Sequence, residues 1–170
     1  MVAQPGARHS RQPTFAITVR DVDIREVMTA SVVTTTPDRS VREVAELMRE
    51  RNVGSVVLVD DDNQPVGFIT DRDLAVGVLA EGHDGAGAAG GYASNPVITA
   101  TPDLDLREAA ALMVRHGIRR LPVLDAGRLS GIVTLDDLAA RTGDPELGHD
   151  LMADITRAAL PEFYFHDRGG

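Results

Sequence analysis

The stretch Gly67-Phe68-Ile69-Thr70-Asp71-Arg72-Asp73 occurs a second time, in altered form, as Gly131-Ile132-Val133-Thr134-Leu135-Asp136-Asp137. In each copy an apolar segment leads into a Thr, and a carboxylate follows three residues after that Thr. This pattern predicts a strand that ends where a helix begins, with the Thr as the helix N-cap. Such a helix start presents unpaired backbone N–H groups and the positive end of the helix dipole, which favour an anion.

The side chains of these two stretches, which we call the closures, fit two chemical roles. The hydroxyls of Thr70 and Thr134 suit a phosphate, and the carboxylates of Asp73 and Asp137 suit the vicinal hydroxyls of a ribose. The alternative is structural: the Thr residues are N-caps, and the Asp residues are first-turn acids that the helix dipole favours. For either closure taken alone, the structural interpretation is the better one.

The regions around the closures repeat as well, and this favours the functional interpretation. Residues 34–60 align with residues 99–125 without a gap, and a one-residue slip then aligns the Gly, Thr and Asp of the closures. The matched pairs include Thr36 with Thr101, Pro37 with Pro102, Arg42 with Arg107, Glu43 with Glu108 and Met48 with Met113. Agreement in order, spacing and residue type is the mark of an internal repeat.

Apolar periodicity predicts the same order of elements in both copies. Ser40 with Glu43, and Asp105 with Glu108, mark the starts of two helices. A buried strand, a hairpin and a closure follow each helix, and the first copy ends in a helix over residues 72–80. The acidic hairpin at residues 60–63 lacks the later Gly and Glu of a calcium loop, so we expect a polar turn there.

With these features the chain resembles a tandem pair of CBS domains, the Bateman module. The resemblance rests on three features: the closures, the buried strands 56–60 and 121–125, and the strand starts Val32-Val33-Thr34 and Val97-Ile98-Thr99. It implies an α/β (α+β) fold in which two β-α-β-β-α repeats pack sheet to sheet as a pseudo-twofold module with two clefts. It also implies dimerisation and the binding of adenine nucleotides or adenosyl compounds.

The resemblance divides the chain into five parts. Residues 1–20 are expected to be mostly disordered, residues 21–80 to form CBS domain 1, residues 81–91 a Gly-rich linker, residues 92–143 CBS domain 2, and residues 144–170 a C-terminal amphipathic helix with an aromatic tail. That helix docks on its own module or covers a dimer interface. The sequence leaves both possibilities open.

The linker contains Gly85-Ala86-Gly87-Ala88-Ala89-Gly90, which matches the G-x-G-x-x-G pattern of dinucleotide-binding folds. No strand is predicted before this stretch, and Gly91 rather than a helix follows it. We therefore expect a flexible surface linker and no dinucleotide site here.

The family pattern assigns ligand-binding residues to each cleft. In the second cleft they are Ile98, Thr99, Ile118, Arg119, Arg120, Leu121, Pro122, Thr134 and Asp137. In the first cleft they are Val33, Thr34, Val53, Gly54, Ser55, Val56, Thr70, Arg72 and Asp73. By resemblance, the strand backbone contacts the adenine edge, apolar side chains sandwich the ring, Asp holds the ribose, and Thr with Arg meets the phosphates.

The two clefts differ in charge. Arg119 and Arg120 occupy the positions that Gly54 and Ser55 hold in the first repeat. A guanidinium beside a helix start suits a di- or triphosphate, so we expect the second cleft to be the better site for a charged ligand. The alternative is that both arginines are solvated surface charge.

Composition excludes several classes of function. The net charge of −9 argues against a nucleic-acid partner, which needs clustered positive charge. All 17 basic residues are Arg, and Cys is absent, which removes lysine and thiol nucleophiles and thiolate metal sites. No apolar run is long enough to span a membrane, and no signal peptide is apparent, so we expect a cytoplasmic protein.

The expected function is a regulatory sensor of AMP, ADP, ATP or another adenosyl compound, without catalytic activity or a metal. Binding would change the geometry of the module or of a homodimer, and an unknown effector protein would detect that change. One alternative is a ligand-free dimerisation scaffold. The other is an enzyme, against which stand the lack of a Ser/His/Asp arrangement and the helix-start position of the acids, where ionisation is favoured.

Overall fold

The computed structural model describes residues 22–142 and, beyond them, the helical positions His149, Ala153, Asp154 and Arg157. These positions confirm a helix in the predicted C-terminal region. The segment that we expect to be disordered, residues 1–20, and the aromatic tail lie outside the described residues. No helix in the described part of the chain is long and apolar enough to cross a membrane.

The elements follow the predicted order twice. The first repeat contains β1 (Thr34–Thr35), α1 (Val41–Arg51), β2 (Ser55–Val59), β3 (Pro65–Thr70), α2 (Asp71–Asp73) and a π-helical segment (Leu74–Leu79). The second repeat contains α3 (Leu106–His116), β4 (Arg120–Asp125), β5 (Arg128–Thr134) and α4 (Leu135–Thr142). Short 3-10 helices at Ile24–Glu26 and Ala89–Gly91 precede the repeats.

One helix differs from the prediction. The helix expected at residues 72–80 is α-helical only over α2 and continues as the π-helical segment. There the backbone N–H of Ala80 donates to the carbonyl of Ala75, five residues earlier, at 3.0 Å. The periodicity of apolar residues does not separate this wider turn from an α-helical one, because both place Val78 on the buried side.

Each repeat builds the same small sheet. In the first repeat β1 runs parallel to β2, and β2 pairs antiparallel with β3. In the second repeat β4 pairs antiparallel with β5, and Ala100 takes the place of β1 through a parallel bridge to Val123. The predicted β-α-β-β-α order is therefore present in both copies, and the closures end the outer hairpin strands β3 and β5.

Each repeat has an aliphatic core between its sheet and its helices. The first core includes Val44, Met48, Val56, Leu58 and Ile69. The second core includes Leu106, Met113, Leu121, Val133 and Leu138. These are the periodic apolar positions of the sequence, and their burial is the main stabilising term of such a fold.

The segment that precedes each repeat packs on the other repeat. We call these the crossing segments, residues 22–29 and residues 87–94. In the first of them, Ile24 is fully buried in the core of the second repeat, and its backbone N–H donates to the carbonyl of Leu104 at 2.9 Å. The backbone N–H of Leu106 donates to the carbonyl of Val22 at 3.2 Å. The start of domain 1 thus belongs physically to domain 2.

The second crossing segment makes the equivalent contacts to the first repeat. Ala89 is fully buried, and its backbone N–H donates to the carbonyl of Arg39 at 2.7 Å. The backbone N–H of Val41 donates to the carbonyl of Gly87 at 2.9 Å. Bridges Asp23 to Asp105 and Ser40 to Ala88 pair equivalent positions of the two repeats, which establishes their approximate twofold relation.

This arrangement corrects the expectation of a flexible surface linker. The second half of the linker, residues 87–91, lies against residues 37–41 at the start of α1. Its small side chains allow the two backbone segments to approach each other. A Cβ on Gly90 would lie 3.1 Å from the Cβ of Pro37 and 3.2 Å from its carbonyl oxygen. The glycines of the G-x-G-x-x-G stretch thus serve chain packing.

The capping box predicted for α1 is confirmed. The Ser40 hydroxyl accepts from the Glu43 backbone N–H at 3.2 Å, and the Glu43 carboxylate accepts from the Ser40 backbone N–H at 2.9 Å. Arg39 adds an ion pair to that carboxylate at 2.7 Å. The Ser40 backbone N–H, the Ser40 hydroxyl and Arg39 together lower the pKa of Glu43 from 4.5 to about 2.

This lowered pKa predicts a pH-dependent stability. Because the folded state binds the Glu43 proton more weakly than the unfolded state, the contribution of the carboxylate is complete above about pH 4.5 and is lost as the pH falls towards 2. We expect Glu43→Gln to be less stable than the wild type at pH 7, with a difference that shrinks below pH 4.5 in thermal unfolding. Glu46→Gln, on the same helix and outside the capping box, is the control. A difference between wild type and Glu43→Gln that stays constant from pH 7 to 2.5 would contradict this role.

Candidate functional site

Both closures form the same capping box. The Asp73 Oδ2 atom accepts from the Thr70 hydroxyl at 2.7 Å and from the Thr70 backbone N–H at 2.8 Å. The corresponding distances between Thr134 and Asp137 are 2.7 and 2.8 Å. Helix capping, the structural alternative that the sequence left open for these residues, is therefore present in both repeats. Among the described residues no hydrogen bond reaches Oδ1 of either Asp, so this oxygen is available to a ligand.

A cavity of about 230 Å³ lies beside the first closure and is shared by both repeats. The first repeat supplies Phe68, Thr70, Asp71, Arg72 and Asp73. The second domain supplies Ser94, Pro96, Val97, Ile98, Gly117, Ile118, Arg119, Arg120 and Pro122. The cavity thus combines a helix start from one repeat with apolar and basic side chains from the other.

Three basic side chains belong to the lining of this cavity. The ion pairs among the described residues are Arg39 with Glu43 and Arg157 with Asp154, so Arg72, Arg119 and Arg120 form none there. Their guanidinium groups line the cavity together with the carboxylates of Asp71 and Asp73. Guanidinium groups that are not neutralised by the protein are suited to bind phosphate oxygens in a bidentate way.

A close approach of the two repeats explains how Arg120 reaches this cavity. A Cβ on Gly54 would lie 3.6 Å from a terminal nitrogen of Arg120 and 3.2 Å from Oδ2 of Asp71. Gly54 immediately precedes β2, and Arg120 begins β4, so the Arg120 side chain extends from the second repeat to the start of β2 in the first. The absence of a side chain at Gly54 leaves room for the guanidinium beside the first closure.

The structure distributes the residues assigned to the first cleft over several places. Thr70, Arg72 and Asp73 line the cavity, and Gly54 lies next to two of its residues. The other assigned residues belong to the fold of the first repeat: Val56 is in the core, Val33 and Val53 pack against it, and Thr34 and Ser55 pair within the sheet.

The residues assigned to the second cleft are also divided. Ile98, Ile118, Arg119, Arg120 and Pro122 line the same cavity. Leu121 is fully buried in the second core, and Thr99 borders a separate groove beside Ala100. Thr134 on β5 is the strand partner of Arg120 on β4, and the backbone N–H of Leu135 donates to the carbonyl of Arg119 at 2.9 Å. Asp137 borders a separate depression with Glu26 and Val27.

The structure therefore brings the arginines of the second repeat to the closure of the first. Sequence reasoning did not assign Arg119 and Arg120 to the first closure; it assigned them to one cleft with Thr134 and Asp137, and that assignment stays a prediction. It also did not name Phe68, Asp71, Ser94, Pro96, Val97 and Gly117, which complete the lining. Phe68 and Asp71 belong to the closure at residues 67–73, so the sequence pattern could have identified these two as lining residues.

The sequence profile of the CBS domain matches residues 24–79 and 89–142. The chain belongs to the CBS domain family. The two matched ranges begin at the buried Ile24 and Ala89, and they cover both repeats.

Relatives with similar sequences include a CBS domain-containing protein, YhcV, of Bacillus subtilis, which is 35% identical over 133 residues. That alignment covers 78% of this chain and 94% of the relative. An uncharacterized protein of Methanopyrus kandleri is 43% identical over 122 residues, 71% of this chain, but the chain spans only 62% of its length.

Solved CBS proteins share the fold. One is a CBS domain protein of Pyrobaculum aerophilum complexed with AMP, at a TM-score of 0.66 and 27% identity over 78% of this chain and 99% of that one. Another is a CBS domain pair in complex with 5′-methylthioadenosine and S-adenosyl-L-methionine, at a TM-score of 0.66 and 26% identity over 73% of this chain and 98% of that one. Adenosyl compounds are thus bound by proteins of this architecture.

A metal site has no support in the described residues. No group of three or more His, Cys, Asp or Glu side chains in that part of the chain is arranged to hold a metal ion. The acidic hairpin after β2 forms the predicted polar turn instead, where Asp60 Oδ1 accepts from the backbone N–H groups of Asp62 at 3.1 Å and Gln64 at 2.9 Å.

Proposed function

We propose that this protein is a regulatory module that binds an adenosyl ligand, such as AMP, ADP or ATP, in the cavity between its CBS repeats. The observation that carries the proposal is the meeting of unpaired arginines from the second repeat with the closure of the first. A nucleotide has the matching parts: anionic phosphates, a ribose diol and a flat apolar base. The AMP and adenosylmethionine complexes of related folds support the ligand class.

The side chains of the cavity suggest how such a ligand is held. Oδ1 of Asp73 accepts hydrogen bonds from the ribose hydroxyls, because Oδ2 is already engaged by Thr70. The guanidinium groups of Arg119 and Arg120 bind the phosphates. The apolar side chains of Ile98, Ile118 and Pro122 pack against the base.

The proposed module performs no reaction of its own. In each closure the Asp carboxylate accepts a hydrogen bond from the Thr backbone N–H and so caps the helix. This role is structural and involves no acid–base chemistry. Regulation then depends on a ligand preference for one arrangement of the repeats over another. The alternative function is a scaffold that assembles without a ligand, and the binding experiment below separates the two.

We further propose that the module works as a cytoplasmic homodimer that reports to an effector protein. Two exposed apolar side chains support an interface: Leu79 is 77% exposed and Val76 is 53% exposed, on one short segment. Exposed apolar side chains next to a groove are typical of protein contacts. Light scattering of the purified chain, with and without AMP, measures its mass directly, and a monomer in both conditions would contradict the dimer.

The repeated capping box provides a matched pair of variants for testing the site. Asp73→Ala and Asp137→Ala remove the same cap from equivalent positions, so both lose a similar amount of stability. Only Asp73 lines the cavity with the arginines. We expect Asp73→Ala to weaken AMP binding by about 1–3 kcal/mol, a factor of about 5–150, and Asp137→Ala to leave it unchanged in calorimetry.

The other outcomes are equally informative. Loss of AMP binding in Asp137→Ala alone would place the ligand at the second closure, where the family pattern groups Arg119 and Arg120 with Asp137. No heat and no thermal stabilisation with AMP, ADP, ATP or S-adenosyl-L-methionine, in a folded protein freed of co-purified nucleotide, would favour the scaffold. A ligand at a hundredfold excess over its Kd should otherwise stabilise the fold by about 2.7 kcal/mol.

A further inference from the structure

The helix that follows the first closure is unlike its counterpart in the second repeat. Residues Leu74–Leu79 are π-helical, whereas the equivalent residues in α4 are α-helical. The wide hydrogen bond runs from the Ala80 N–H to the Ala75 carbonyl at 3.0 Å. The segment is then closed by a C-terminal cap, in which the His83 N–H donates to the Val78 carbonyl at 2.9 Å and the Gly82 N–H to the Leu79 carbonyl at 3.1 Å. Single π-helical turns within helices are uncommon and occur often at functional sites.

The same helix is also anchored more weakly than α4. In α4, Leu135 and Leu138 are buried, at 3% and 2% exposure. Their counterparts in the first repeat are the exposed Asp71 and the half-buried Leu74. A groove of about 340 Å³ remains between the π-helical segment and α1, so this segment has room to repack. The buried anchor of the π-helical segment is Val78, at 7% exposure, and helices with few buried anchors rearrange at low cost.

The position of the π-helical segment links the cavity to the surface. It begins directly after Asp73, the residue that we propose holds the ribose, and it carries the exposed side chains Val76 and Leu79. A π-helical turn contains one residue more than an α-helical turn. A change to α-helical hydrogen bonding would therefore rotate the downstream side chains by about 100° around the helix axis.

We propose that Leu74–Leu79 is the output element of the module: ligand contact at Asp73 changes the hydrogen-bond register of this segment and thereby reorients Val76 and Leu79. This inference rests on the proposed function, because it requires a ligand in the cavity. It also confines the response to the first repeat, since α4 is α-helical and held by two buried leucines. The ligand acts by binding one register more tightly than the other.

Hydrogen exchange of the full-length protein, with and without saturating AMP, tests the proposal. We expect AMP to change the exchange rates of the Ala80 and His83 amides by at least about fivefold, the lower end of ordinary coupling between sites. The amides at the end of α4 should keep their rates and serve as the internal control. Bound AMP with unchanged exchange from Ala75 to His83 would overturn the inference and leave the proposed function standing.

A deletion variant gives an independent check. Removing Ala75, an exposed residue outside the cavity, shortens the segment by one residue. One residue is the difference between a π-helical turn and an α-helical turn. We expect this variant to bind AMP in calorimetry but to lose the AMP-dependent exchange change at Ala80 and His83. Persistence of the change in the variant would overturn the proposal. If the variant does not fold, the wild-type experiment, which compares the exchange rates of this segment with those of α4, still tests the proposal. If the wild type does not bind AMP, both the output element and the proposed function are rejected.

Discussion

Replacing Ala89 by Asp is expected to lower the free energy of unfolding by about 3–5 kcal/mol, the effect of an uncompensated buried charge. Ala89 is fully buried, and it packs in the first core beside Val41 and Val44 although it stands in a segment composed largely of Gly and Ala. For a chain of this length such a loss corresponds to a decrease in Tm of about 6–20 °C. Urea or thermal unfolding measures it directly.

The neighbouring residue supplies the matched control. Ala88 is exposed, so Ala88→Asp adds the same charge one position earlier without burying it. We expect this variant to unfold within about 0.5 kcal/mol of the wild type. Equal stabilities of Ala88→Asp and Ala89→Asp would show that the second crossing segment is not docked in solution, and the linker would then be flexible, as its composition suggested.

Replacing Ile24 by Ala is expected to cost about 2–5 kcal/mol. Although Ile24 precedes the first repeat in sequence, its side chain is fully buried among Leu106, Ala109 and Leu138 of the second. The cavity left by the truncation therefore lies in the second core. We expect hydrogen exchange to show the larger loss of protection in α3 and β4, with a smaller effect on α1 and β2.

Val27 provides the comparison for this prediction. It lies three residues later on the same crossing segment and is only partly buried against the same core. Val27→Ala should therefore cost clearly less than Ile24→Ala. If Ile24→Ala lowered hydrogen-exchange protection only in α1 and β2, the first crossing segment would pack on the first repeat. That result would contradict the burial of Ile24 in the second core.

Both predictions depend on contacts that the sequence did not reveal. The duplication was visible because residue types recur at a fixed spacing, and from it the order of elements followed correctly for both repeats. The division into domains, however, was drawn at places where composition changes. The first crossing segment lies inside the predicted domain 1 and the second lies across the end of the linker, yet each packs on the other repeat. A backbone hydrogen bond such as that between Ile24 and Leu104 depends on spatial proximity and not on composition.

The candidate site shows the same division. Thr70, Asp73, Arg119 and Arg120 were each recognisable, because a closure is a local pattern and the arginines differ from their counterparts Gly54 and Ser55. Their grouping was not recognisable. A comparison of aligned positions pairs each arginine with the closure of its own repeat, where Arg120 is the strand partner of Thr134. It does not show that the Arg120 side chain also lies beside Gly54 and the first closure.

By itself the sequence determined the duplication, the family, the helix starts and the capping box of α1, since these depend on recurring residue types and on interactions between residues three or four positions apart. Only the tertiary structure decided which repeat receives each crossing segment, that Arg119 and Arg120 of the second repeat join Asp71, Arg72 and Asp73 of the first in one cavity, and that the helix after the first closure is π-helical. Those features depend on how the two repeats pack together. Two copies of one local pattern are compatible with more than one such packing, and the contacts between the copies select among them.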